Sequence, residues 1–251
     1  MDERCEDRAG WEDEDREGGF DEPGEDVAQQ EELEPLPALP ARLISVFFSP
    51  GKLMEQLVEQ PRWAGALLAG AVVIGLSVSL IPVEVFMEVN RQTAIERGAE
   101  FPEMGESALR AMRVVIPLGS VVSVLLFSAF FAGLYTVVFA FVLGDEGTFR
   151  QYLAVLSHAY FIPALFGLLI TPLRISTGDP QFTLNLASFF AFLPDGYVYN
   201  VLRVFDLTQI WSTLVIAQGV HAIDRRRSFT SAAVILFVFF TAMALVVGRF
   251  M

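Results

Sequence analysis

The sequence predicts an all-α polytopic membrane protein: a bundle of about five transmembrane helices with N-terminal interfacial helices. Five long apolar runs of 17 to 31 residues follow residue 62, where a helix needs roughly 20 to cross a bilayer. Charged side chains gather between these runs, not within them. The net charge of −13 sits wholly in residues 1–34, which hold sixteen acidic side chains and three arginines. Five such runs leave too little polar surface to cover the core of a soluble protein.

Residues 1–40 are rich in charge, Gly and Pro and offer little to bury. Such a segment cannot offset its ordering entropy, so a disordered acidic tail is expected there. Pro35, Pro37 and Pro40 stiffen its end. The acidic excess argues against nucleic acid as a partner. Cys5 is the single cysteine, which excludes an intramolecular disulfide and a cysteine zinc site. The chain opens with acidic residues and not with a basic, then apolar, leader, so insertion is expected to follow from the first long apolar run. Sixteen of seventeen basic residues are Arg, which points to a GC-rich, bacterial genome.

Residues 41–251 form the second expected domain. Leu43, Ile44, Phe47 and Phe48 share a helical face. Ser49-Pro50 is a helix-start signal, and Leu53, Met54, Leu57 and Val58 make a second apolar stripe. Neither piece is long enough to span. Two readings stand side by side: helices lying at the membrane interface, or helices packed on the bundle.

The five runs are residues 63–83, 114–144, 152–173, 207–223 and 231–248. The second is long enough to tilt or project. Pro163 removes a backbone donor and should kink the third. Tyr160 is placed to bond a neighbouring helix or the carbonyl freed near that kink. Between the runs, residues 84–113 are charged and broken at Gly98, Pro102 and Gly105. Residues 182–193 are apolar but too short to span, so a half-helix or interfacial segment is expected.

Small residues at helical spacing let backbones approach closely. Ala71, Gly75 and Ser79 in the first run, and Ser120 and Ser128 in the second, are therefore the packing candidates. Ionisable groups in or near spans are candidates for function. His158 lies inside the third run. Arg174, Arg203, Asp206 and Gln209 fall at one end of the bundle, where Arg203 and Asp206 are spaced to pair. Interfacial snorkelling with one salt bridge accounts equally for that group.

Orientation follows from Arg and Lys near the run ends. With the N-terminus in the cytoplasm, Arg42, Lys52, Arg62, Arg150, Arg225, Arg226 and Arg227 lie inside, and Arg91, Arg97, Arg110, Arg113, Arg174 and Arg203 lie outside. The short Arg225-Arg226-Arg227 block favours the cytoplasm for the last loop, which places the C-terminus outside.

Catalytic patterns are lacking. Val142-Leu143-Gly144-Asp145 misses the first Gly of an aspartyl intramembrane protease. Gly119-Ser120 has the wrong spacing for a rhomboid-type serine. Lys52 is the only Lys, so no phosphate-binding Gly-rich loop with Lys exists. His158 and His221 lack acidic neighbours at metal-ligand spacing. No enzyme, cofactor or metal is therefore expected.

Four motifs carry a resemblance. They are Phe48-Ser49-Pro50 with Leu57 and Pro61; Gly147-Thr148-Phe149-Arg150-Gln151-Tyr152-Leu153; Ala159-Tyr160-Phe161-Ile162-Pro163; and Arg226-Arg227-Ser228-Phe229-Thr230-Ser231-Ala232. In this order the chain resembles the Yip family of Ypt/Rab-interacting membrane proteins, in its bacterial branch. Phe149, Tyr160 and Pro163 match best. The Asp-Leu-Tyr-Gly-Pro signature of eukaryotic members is absent, and with it the ground for expecting GTPase binding. The resemblance implies a five-span fold and a non-enzymatic role as a membrane-organising or protein-interaction scaffold. Its expected place is the plasma membrane, among lipid, membrane-protein partners or further copies of itself. A small transporter or channel component is the competing reading, although no internal repeat supports it.

Overall fold

Lipid offers the backbone no hydrogen-bond partner, so long apolar runs fold as helices. A computed structural model describes residues 35–250 except 103, 191 and 195, and its elements are helices, with no strand among the described residues. The chain divides into two units, Met1–Pro35 and Leu36–Met251, and the described helices belong to the second. The tail expected over residues 1–40 lies outside the described residues as far as residue 34.

Two short helices come first, α1 (Leu39–Phe48) and α2 (Pro50–Glu59), each with Pro in its first turn. That proline lacks an N–H where the helix needs none. α2 buries Leu53, Met54 and Leu57 and packs against later helices α6 (Phe149–Ala159) and α10 (Leu207–Ile223). Packing on the bundle therefore describes α2. α1 buries Val46 yet leaves Ile44 and Phe48 outward, so it keeps an apolar outer face.

α3 (Ala64–Leu80) turns at Pro82 into α4 (Val83–Glu96), the two axes lying 78° apart. α5 (Glu106–Tyr135) continues as a π-helical turn over Thr136–Val142. After α6 come α7 (Phe161–Leu169), α8 (Thr171–Thr177) and α9 (Tyr197–Val204). Among the described residues of the apolar stretch 182–193, the helical structure is one 3-10 turn, Leu186–Phe189, in place of the expected half-helix. Its neighbours pair instead: Leu207 donates to the Leu184 carbonyl at 2.8 Å, and Leu186 to that of Phe205 at 2.9 Å. α10 is followed by α11 (Phe229–Val247).

Three segments are long and apolar enough to cross a membrane: Glu106–Val142, Phe149–Leu169 and Phe229–Val247. The bent pair α3–α4 makes a fourth if it counts as one span. α10 has 17 residues, about 26 Å of helix, short of the ~30 Å hydrocarbon core. The structure therefore supports three or four of the five expected crossings.

The largest core cluster joins Val46, Met54, Phe139, Tyr152, Leu156 and Ile216, together with their neighbours. It fills the end of the bundle where the 143–148 and 224–228 connections meet α2. By contrast, α5 buries only Ser128, Ala132 and Tyr135.

Candidate functional site

Two places in the bundle gather polar groups, and they differ in kind. The first is the junction of α2 with the connections 143–148 and 224–228. Thr148 caps α6 in a capping box with Gln151, satisfying donors that the first turn leaves unpaired. Gln151 also reaches the Val58 carbonyl of α2 at 3.0 Å. Arg227 grips Asp145 through Nε and through Nη2, the latter at 2.6 Å, in a bidentate pair 14% and 7% exposed. Its guanidinium stands 5.7 Å from the centroid of the Phe139 ring, and that ring stacks on Tyr152 at 6.2 Å. Asp224 accepts from Arg226 and from the Glu146 backbone, and these bonds hold its carboxyl well below the usual carboxylate range. Arg225 reaches Glu55 of α2 at 2.7 Å. The basic block that marks the loop in the sequence is thus paired residue by residue with acids from three segments. The sequence offers no signal for these partners, because Asp145 and Glu55 lie 82 and 170 positions from theirs.

The second place is a half-open cavity of about 760 Å³ lined mainly by α3, α5, α7, α10 and α11. Of the sequence candidates, Ser120, Ser128, Tyr160, Arg174, Asp206 and Gln209 line it. Arg203 does not, although its neighbour Val204 on α9 does. Asp206 spends Oδ1 on capping α10, accepting from the backbone of Thr208 at 2.7 Å and of Gln209 at 3.2 Å. Arg174 donates Nε to the Phe182 carbonyl at 3.0 Å. Ser77 and Thr171 share a hydrogen bond of 2.9 Å in the same wall.

The remaining candidates have other settings. His158 is fully buried, with Nδ1 2.8 Å from the Ala154 carbonyl and no partner at Nε2. The helix breaks at Tyr160, between α6 and α7. Pro163 cannot donate to the Ala159 carbonyl four residues back. Ser212 of α10 takes that acceptor at 3.0 Å. Of the two partnerships expected of Tyr160, the carbonyl near the kink thus goes to Ser212, while Tyr160 bonds a neighbouring helix through the hydroxyl of Tyr135 on α5. Ala71 and Gly75 are buried, and a Cβ on Gly75 would stand 2.7 Å from Val121 of α5. Ser79 is exposed and bonds the Leu76 carbonyl at 2.8 Å. The tightest backbone approach lies elsewhere: a Cβ on Gly219 would collide with both methyl groups of Val155, joining α10 to α6.

Neither place assembles a nucleophile, base and oxyanion donors, and among the described residues no group of three His, Cys, Asp or Glu could hold a metal. Residues 44–248 match the family model of the Yip1 domain. No curated protein and no solved structure matches the chain.

Proposed function

The chain belongs to the Yip1 domain family, and from that premise we propose that it is a five-span, non-catalytic scaffold of a bacterial plasma membrane. In this reading α3, α5, the α6–α7 pair, α10 and α11 each cross once. The N-terminus and its acidic tail lie in the cytoplasm, and the C-terminus lies outside. The observation that carries the reading is the junction. Asp145–Arg227 is a part-buried, bidentate pair, and breaking it should approach, as an upper limit, the cost of about 3–5 kcal/mol that a fully buried pair carries. It ties two connections together, and Glu55–Arg225 adds α2. The result is a fixed polar face on the side where the basic block favours cytoplasm, suited to holding a membrane-protein partner or a second copy.

Two measurements test this. A reporter active only in the cytoplasm, fused to either end, should work at the N-terminus alone. Chemical crosslinking in intact membranes, with cysteines placed at Glu59 and Glu146 on the junction, should trap a defined second chain. Activity at the C-terminal fusion, or a chain that never crosslinks from that face, would overturn the proposal.

A further inference from the structure

The cavity has a chemistry that a scaffold does not use. At one end stand Arg174, Asp206 and Gln209; at the other the wall is Phe131, Leu236 and Phe239. Its volume, about 760 Å³, falls in the ~300–1,000 Å³ range of ligand sites. Along α5 it reaches from Ser120 to Tyr135, about 22 Å of helix, more than the ~15 Å depth of one leaflet.

Access comes from the side. α3 packs on α5 and α7, and α10 packs on α7 and α11, but α5 and α11 barely touch. Their ring contact, Tyr135 with Phe239 at 6.4 Å, lies toward the junction. There α6 packs on both α5 and α10 and closes the base. The five helices form an open ring whose gap faces lipid. The gap is bordered by Phe127 and Ser123 of α5 and by Phe240 and Met243 of α11.

Arg174 supplies the charge. Its Nε is engaged, and Asp206 and Asp179 lie near enough to act on its charge, yet its terminal nitrogens lie over Gly167, about 3.9 Å from where a Cβ would stand, with no carboxylate in contact among the described residues. A guanidinium open to an apolar cavity is matched by a bidentate oxyanion. Asp206, in the same wall, disfavours a multiply charged free anion and suits a head group that also carries an ammonium.

We propose that this cavity binds a phospholipid, with the phosphate on Arg174 and one acyl chain in the gap between α5 and α11. The lipid enters sideways from the leaflet at the Arg174 end, and Ser120 and Ser123 meet its polar ester region. The inference is independent of the scaffold reading and of the orientation in the membrane.

The test is native mass spectrometry of the full chain purified in mild detergent, with lipid extraction to count phospholipid per chain. Wild type should retain about one. Arg174→Gln should retain at least threefold less, and Arg174→Lys should recover part of that loss. Ser123→Trp, which fills the gap without touching the charge, should lose lipid while melting no lower than delipidated wild type. Arg113→Gln, at an exposed arginine of the same end, should retain as much as wild type. Delipidated protein should be stabilised by phosphatidylethanolamine micelles and not by inorganic phosphate. Equal retention across all variants would mean loosely bound annular lipid and overturn the site. A response to phosphate alone would remove the acyl chain from the proposal.

Discussion

Two ion pairs of the same chemistry mark the two ends of the bundle. Asp145–Arg227 at the junction is 7% and 14% exposed, whereas Glu84–Arg113 at the far end is 59% and 61% exposed. Around the first pair stand a stacked aromatic pair, a capping box and the largest core cluster. Around the second, α5 shows Val114, Val115 and Leu118 outward. The difference lies in the neighbours. At the junction, α2 and α6 fill the space between the long helices. At the far end no such filler stands between α5 and α11, and the space stays open as the cavity. Charge pairs strengthen as water is excluded, so the same carboxylate–guanidinium chemistry locks one end and decorates the other.

The largest expected effect follows from removing one partner of the locked pair. Arg227→Ala leaves the shielded Asp145 carboxylate without its partner, which should cost up to about 3–5 kcal/mol. Detergent melting would register this as a large drop, and a variant melting like wild type would erase the contrast between the ends.

Backbone approach gives the second comparison. Gly219→Leu forces bulk into Val155, inside the packed half. Overpacking there should cost about 1–3 kcal/mol or more. Gly75→Leu meets Val121 of α5, and α5 can yield because most of its surface is free. Its loss of melting temperature should be the smaller of the two, with the exposed Leu68→Ile silent. If Gly75→Leu proves the more damaging, α5 is held more firmly than its exposure suggests.

Ser212→Ala comes next. It removes the donor to the Ala159 carbonyl that Pro163 leaves without an intrahelical partner. An unsatisfied buried acceptor costs about 1–3 kcal/mol. Protein yield and melting of Ser212→Ala and Ser212→Thr would sharpen the point, since Thr keeps the hydroxyl. Equal losses in both would show that volume, not the hydrogen bond, matters there.

The smallest effect should come from Glu84→Gln. An exposed pair contributes little because water screens it, so melting should hardly move, and raising salt should reduce what shift there is. A drop as large as that of Arg227→Ala would show that the far end is as closed as the junction.

Much of this was written in the chain itself. Apolar runs of helical length dictate helices in lipid, because no other backbone conformation satisfies its own hydrogen bonds there. Pro50, the Thr148–Gln151 spacing and Ser228 set helix starts from local chemistry alone. Pro163 fixes the place of the break, and Arg174, Asp206 and Gln209 were legible as a polar group near one end. What the chain could not disclose was partnership. Ser212 completes the bond that Pro163 leaves open, Asp145 answers Arg227, and Gly219 meets Val155, each across dozens of residues. Periodicity shows which face of a helix is apolar, but an apolar face suits lipid and a neighbouring helix equally well. Only the tertiary structure decided that α2 and α6 fill one half of the bundle and leave the other open between α5 and α11.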